Sequence, residues 1–190
     1  MMFLKRLPQK TLRTVIAAVI AAAFILALLL AWFSVAELAL LNTHSMMDWR
    51  LGGSIDGIRS PEDAKNYDDE HYDWFEDSVG EGIVSLDTDT KYYLGRHPDA
   101  GLGGYRVIGF SSSEKYYSVM GIRVGDDELE AKTALLNYNF KMTGGGFNTC
   151  RAVKGDITVA LSFEHGVVTN IAAYLDTTSF SPEAASRHIE

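Results

Sequence analysis

From Thr14 to Ala36 the chain runs 23 residues without a charge, a glycine or a proline, and Lys5, Arg6, Lys10 and Arg13 precede that run. A helix of this length rises about 35 Å, enough to span a bilayer core with some tilt. Its backbone groups would be satisfied internally, as lipid requires. Trp32 and Phe33 fall near the far end, where interfacial aromatics are expected. No polar face interrupts the run, which argues against a buried helix of an ordinary domain.

The flanks give an orientation. The first 13 residues carry four basic side chains and no acid, whereas the rest carries 13 basic residues against 25 acids, a net charge of −12. Positive-inside bias then places residues 1–13 in the cytoplasm as a basic tail, and the chain after the run outside. Ser34 and Ala36 offer a small-x-small cleavage site, the mark of a signal peptide. Signal h-regions run about 7–15 residues, shorter than this one, so the reading is an uncleaved signal anchor. The expected localisation is the plasma membrane, single-pass, with the lipid bilayer as partner of residues 14–36.

The remaining length fits one domain. Its acidity argues against nucleic acid as a partner. Cys150 is the sole cysteine, so no intramolecular disulfide forms, and no Asn-x-Ser/Thr acceptor occurs. An outward-facing domain with neither feature suits a bacterium.

Along the outward part, residues 37–59 read as stalk and linker, 60–176 as the domain and 177–190 as a tail. Ser60-Pro61-Glu62-Asp63 is a helix start, with Ser as cap, Pro in the first position and acids at the positive end. Tyr72, Phe75 and Val79 suggest a second helix from about Asp69. Strands are expected over 82–86, 91–94, 105–110 and 116–122. Asp127 with Glu130 forms a capping box, opening a helix with Leu129, Leu136 and Phe140 on one face. Ile157, Val159, Leu161 and Phe163 alternate with Thr158, Ala160 and Ser162, a half-buried strand. A three-residue loop Glu164-His165-Gly166 would pair Phe163 with Val167 and Val159 with Ile171, keeping the apolar faces together. A turn at Lys154-Gly155 would pair Cys150 with Val159 and complete a three-stranded meander. The expected fold class is α+β: an N-terminal transmembrane helix, then one small extracytoplasmic domain with antiparallel sheet and packed helices.

Gly121-Ile122-Arg123-Val124-Gly125-Asp126, then a helix, then a meander through Phe163-Glu164-His165-Gly166-Val167-Val168-Thr169-Asn170-Ile171 is similar to extracytoplasmic domains of Gram-positive bacterial membrane proteins. It also resembles the β-lactamase-inhibitor-protein-like fold of envelope lipoproteins. The likeness covers residues ~119–175. The lipoproteins' acylated Cys and their Gly-x-Pro after the helix are missing here. Gly57-Ile58-Arg59 also precedes a capped helix, as a tandem repeat of that fold would have it. The resemblance implies a binding or assembly role without catalysis and carries over no active-site residue.

Candidate chemistry is sparse. Cys150 and His165 form the obvious nucleophile–base pair, but the expected register holds them ~20 Å apart. Asp68 to Asp73 lacks the calcium-loop spacing and its glycine. The five histidines show no zinc spacing. No cofactor, metal or catalytic residue is therefore assigned. Tyr92, Tyr93, Tyr116 and Tyr117 form a candidate binding surface, since a strand doublet turns one ring outward. The expected function is a membrane-anchored extracytoplasmic binding or assembly module, its partner an envelope protein or wall polymer. The alternatives are a cell-envelope hydrolase built on Asp87, Asp89 and His97, and a divalent-cation sensor using the acidic segment 62–81.

Overall fold

A computed structural model describes residues 16, 18–25, 36, 39–42, 45, 47–77, 79–95 and 105–175. The chain divides into two compact units, Met1–Ala36 and Glu37–Glu190.

In the first unit, residues 18–25 are helical with exposed side chains. Among the described residues no helix is long and apolar enough to cross a membrane. This corrects the expected transmembrane helix, and with it the signal-anchor role, the plasma-membrane localisation and the inside–outside orientation. Residues 14, 15, 17 and 26–35, which include Trp32 and Phe33, lie outside the described residues.

The second unit is built on one eight-stranded antiparallel sheet. In chain order its elements are α1 (Pro61–Lys65), β1 (Tyr72–Glu76), β2 (Glu81–Ser85), β3 (Lys91–Gly95), β4 (Arg106–Ser112), a small hairpin β5 (Ser118–Val119) and β6 (Ile122–Arg123), α2 (Glu128–Asn137), β7 (Lys141–Gly144), β8 (Thr149–Lys154), β9 (Ile157–Glu164) and β10 (Val167–Leu175). The strand order is β1-β2-β3-β4-β10-β9-β8-β7. Two four-stranded meanders, each preceded by a capped helix, therefore meet where β4 pairs with β10. Before each helix stands a glycine with positive φ, Gly57 at 87° and Gly121 at 79°, followed by a buried isoleucine, Ile58 or Ile122.

The expected α+β domain is thus corrected to a sheet-dominated one, in which α1 and α2 are short. Both predicted helix starts carry their caps. Ser60 Oγ accepts from the Asp63 N–H, and the Asp63 carboxylate accepts from the Arg59 N–H. Asp127 accepts from the N–H groups of Leu129 and Glu130. The buried face of α2, however, is Ala131 and Leu135, leaving Leu129 and Leu136 exposed. The helix expected from Asp69 is instead strand β1, where Tyr72 packs on Trp49 and Phe75 on Tyr93. Tyr72 and Phe75 lie on opposite faces of β1, as a spacing of three requires in a strand, so its apolar residues do not mark out one face.

The C-terminal hairpin corrects the expected loop. Its turn has two residues, His165 and Gly166, with φ of 52° and 80°. This is the left-handed pair that a twisted hairpin favours. Phe163 then faces Val168, and an irregularity between Val168 and Asn170 restores the phase, so that Leu161 faces Ile171 and Val159 faces Ala173. A β-bulge does what a longer loop was expected to do. Likewise Lys154 pairs with Ile157 and Cys150 with Leu161. That register is two residues from the expected one, which keeps Cys150 on the core face.

The main core lies on one face of the sheet, under the helices and the segment from Leu41 to Ile58, which contributes Leu41, Leu51, Ile55 and Ile58. One complete row of this face runs Trp74–Ile83–Tyr92–Phe110–Ala173–Val159–Ala152–Met142. The other face carries a smaller cluster with Tyr93, Ile108, Ala172 and Tyr174. Its first row runs Phe75–Gly82–Tyr93–Gly109–Tyr174–Thr158–Val153–Lys141, and its second Asp73–Val84–Lys91–Ser111–Ala172–Ala160–Arg151–Gly144. Ring alternates with glycine over the first five strands of that first row. Gly109 leaves room for the Tyr174 ring to lie against the sheet, whereas at Gly82 a side chain would collide with the backbone of Tyr92.

Candidate functional site

The four tyrosines read as a surface separate in space. Tyr92 and Tyr93 point to opposite faces, yet both are buried, because the sheet is covered on both sides there. Tyr93 belongs to the second face, where its hydroxyl and Lys91 Nζ meet the Asp77 carboxylate. Tyr117 is buried, and Tyr116 is 69% exposed with its ring edge-on to Tyr117 at 5.6 Å.

What sequence reading missed is the residue that joins two of them. Asp48 lies just before the core residue Leu51, on a segment taken for a stalk. Its Oδ2 accepts from the hydroxyls of Tyr92 at 3.1 Å and Tyr117 at 2.5 Å, with a long contact to Tyr72 at 3.5 Å. The Asp48 N–H donates to the Tyr92 hydroxyl. Trp49 packs its ring 4.4 Å from Tyr72 and 4.8 Å from Tyr92. Asp48 and Tyr116 face solvent, while Trp49 and Tyr72 are half-buried. Four separate stretches of chain thus place five rings around one carboxylate. The partners lie 24 to 69 residues from Asp48, so no local pattern announces them.

Burial, then the Asp48 charge, pushes Tyr72 up to about 12. The same two causes, in that order, raise Tyr92. Tyr117 is raised by burial first and then by its hydrogen bond to Asp48. At neutral pH the phenols are therefore protonated donors and Asp48 is their acceptor. With its Oδ2 filled by phenols, Asp48 is poorly placed to take a proton from a substrate.

The other candidates stay apart. Cys150 faces Leu161 across the strand pair, four residues from His165 along β9, roughly 13 Å. Its sulfur meets Met142 Sδ at 3.3 Å. Asp87 is brought to His71 Nδ1 at 2.9 Å on the exposed surface, a pair that sequence reading did not make. His97 lies outside the described residues. Among the described residues no group of three or more His, Cys, Asp and Glu side chains is arranged to hold a metal ion. Compared with protein-family models, with curated proteins and with solved structures, the chain finds no match.

Proposed function

We propose that the domain is a non-catalytic binding or assembly module whose contact surface is the aromatic platform around Asp48. The observation that carries this reading is the gathering of Trp49, Tyr72, Tyr92, Tyr116 and Tyr117 about a solvent-facing carboxylate. Tyr92 and Tyr117, buried and fixed by their hydroxyls on Asp48, hold in place the exposed ring of Tyr116 and the half-buried rings of Trp49 and Tyr72, which offer amphipathic area to a protein or polysaccharide partner at little cost in freedom.

The test is site-specific photocrosslinking from position 116, compared with the same probe at Lys154 on the β8–β9 turn. A partner captured from 116 and lost in Trp49→Ala, with the fold retained by circular dichroism, supports the reading. Equal capture from both positions, or turnover of a wall polymer that depends on His71 and Asp87, would overturn it.

A further inference from the structure

The far edge of the sheet carries a second surface, independent of the aromatic platform. β7 is the last strand and pairs on one side only, with β8. All four of its residues are exposed. A free antiparallel edge turns alternate N–H and C=O groups outward, ready to template another strand. The opposite edge, β1, is blunted by exposed Asp73 and Glu76. β7 has instead one lysine, Met142, Thr143 and Gly144, with a register irregularity between Met142 and Gly144, and the loop beyond it carries the fully exposed Phe147.

The row Ala160–Arg151–Gly144 reaches this edge on the second face. Arg151 Nε is buried without a hydrogen-bond partner, and so is Ser162 Oγ on the adjacent strand β9. Buried polar atoms left in this state are uncommon and call for a partner. Among the described residues neither Arg151 nor Lys141, on the same face, has a carboxylate partner, although the chain as a whole carries a charge of −8. Between Arg151 and the edge stands only Gly144, where an added Cβ would meet nothing within 4 Å. The side of the edge that faces Arg151 is therefore open.

We propose that β7 accepts an extended acidic peptide segment as an added strand, with an Asp or Glu opposite Gly144 paired to Arg151. At ~4.8 Å per strand, that residue's backbone sits roughly 10 Å from the backbone of Arg151, within the joint reach of a guanidinium and a carboxylate stem. Main-chain pairing supplies affinity and the acid supplies register, the usual division of labour in strand addition. On the main face the added strand meets Met142, so its neighbouring position takes an apolar side chain. A second copy of β7 is the wrong occupant: self-pairing would set Lys141 and Arg151 of both chains along one edge, like charge facing like.

The experiment uses the full chain and three synthetic strand-forming peptides of alternating valine and threonine, identical except for one central Glu, Gln or Lys. Binding is read by fluorescence anisotropy and by backbone amide shifts. The Glu peptide should bind about tenfold more tightly than the Gln peptide, with shifts confined to 141–154. Arg151→Glu should reverse the preference toward the Lys peptide. Arg151→Gln, which keeps the side chain's length, should make the Glu and Gln peptides equal and guards against misfolding of the charge-reversed variant. Thr143→Pro should abolish binding of all three. Equal binding of Glu and Gln peptides to the native chain, no binding at all, or concentration-dependent self-association through 141–147 would overturn the proposal. Trp49→Ala should leave peptide binding unchanged, so failure here and failure of the aromatic platform are read separately.

Discussion

The ring of Tyr174 lies against the backbone of Gly109, so close that a β-carbon on that glycine would stand 2.5 Å from the ring's Cδ1. The two residues are directly paired across β4 and β10. Gly109→Ala should destabilise the domain by about 1–3 kcal/mol, the usual cost of overpacking. Chemical denaturation measures it. In Gly109→Ala/Tyr174→Ala the cost should be less than the sum of the two single changes; strict additivity would show that the two side chains do not compete for space.

The tyrosines set an alkaline limit on stability. An ordinary phenol titrates near 10, whereas burial pushes Tyr72 up to about 12 and also raises Tyr92, Tyr93, Tyr117 and Tyr174. A folded-state pKa above the unfolded one means that the stabilisation is whole below about pH 10 and lost as pH climbs through the folded values. For Tyr72 that window is pH 10 to 12. Phenolate absorbance should therefore rise together with loss of the circular dichroism signal. A rise centred on pH 10 in a domain that keeps its fold would refute this.

Asp77 sets the corresponding acid limit. Burial pushes its carboxyl up, but Lys91 at 2.8 Å and the N–H groups of Val79 and Gly80 outweigh that and hold it below the ordinary carboxylate range. Its contribution is present above the unfolded carboxyl's pKa and fades as pH falls through the lower folded one. Asp77→Asn should cost about 1–2 kcal/mol at neutral pH. The gap between variant and native chain should shrink in acid; a gap constant down to pH 2 would mean the charge is irrelevant.

Cys150 should be chemically silent. It is 5% exposed, and burial pushes its thiol up, with Lys132 opposing and Glu128 adding to that push. Iodoacetamide should leave it unmodified in the folded chain at pH 8 and label it fully in denaturant. Labelling at the rate of a free thiol without denaturant would place it at the surface.

The parts legible in the sequence are those governed by neighbours along the chain. Ser60 and Asp127 announce their helices because a cap acts within three residues. The β9 strand declares itself by clean alternation. The β9–β10 turn was harder, because His165 is a non-glycine residue in the left-handed region and the compensating bulge near Thr169 leaves no mark on composition. Tyr92-Tyr93 misled because a strand covered on both faces has no polar side to display, and Tyr72–Phe75 because a spacing of three fits one face of a helix as well as two faces of a strand. Asp48 was invisible because its value lies in partners from distant strands.

The seam between β4 and β10 has a kinetic consequence. Within each meander, strands adjacent in sequence are adjacent in space, so pairing closes only short loops. The seam joins Ser112 to Ile171 and Gly109 to Tyr174, separations of 59 and 65 residues. Closing loops of that size is the costly entropic step of an otherwise local topology. Folding speed should therefore depend chiefly on how soon these two strands find each other, and changes at the seam should slow folding more than equal changes within either meander.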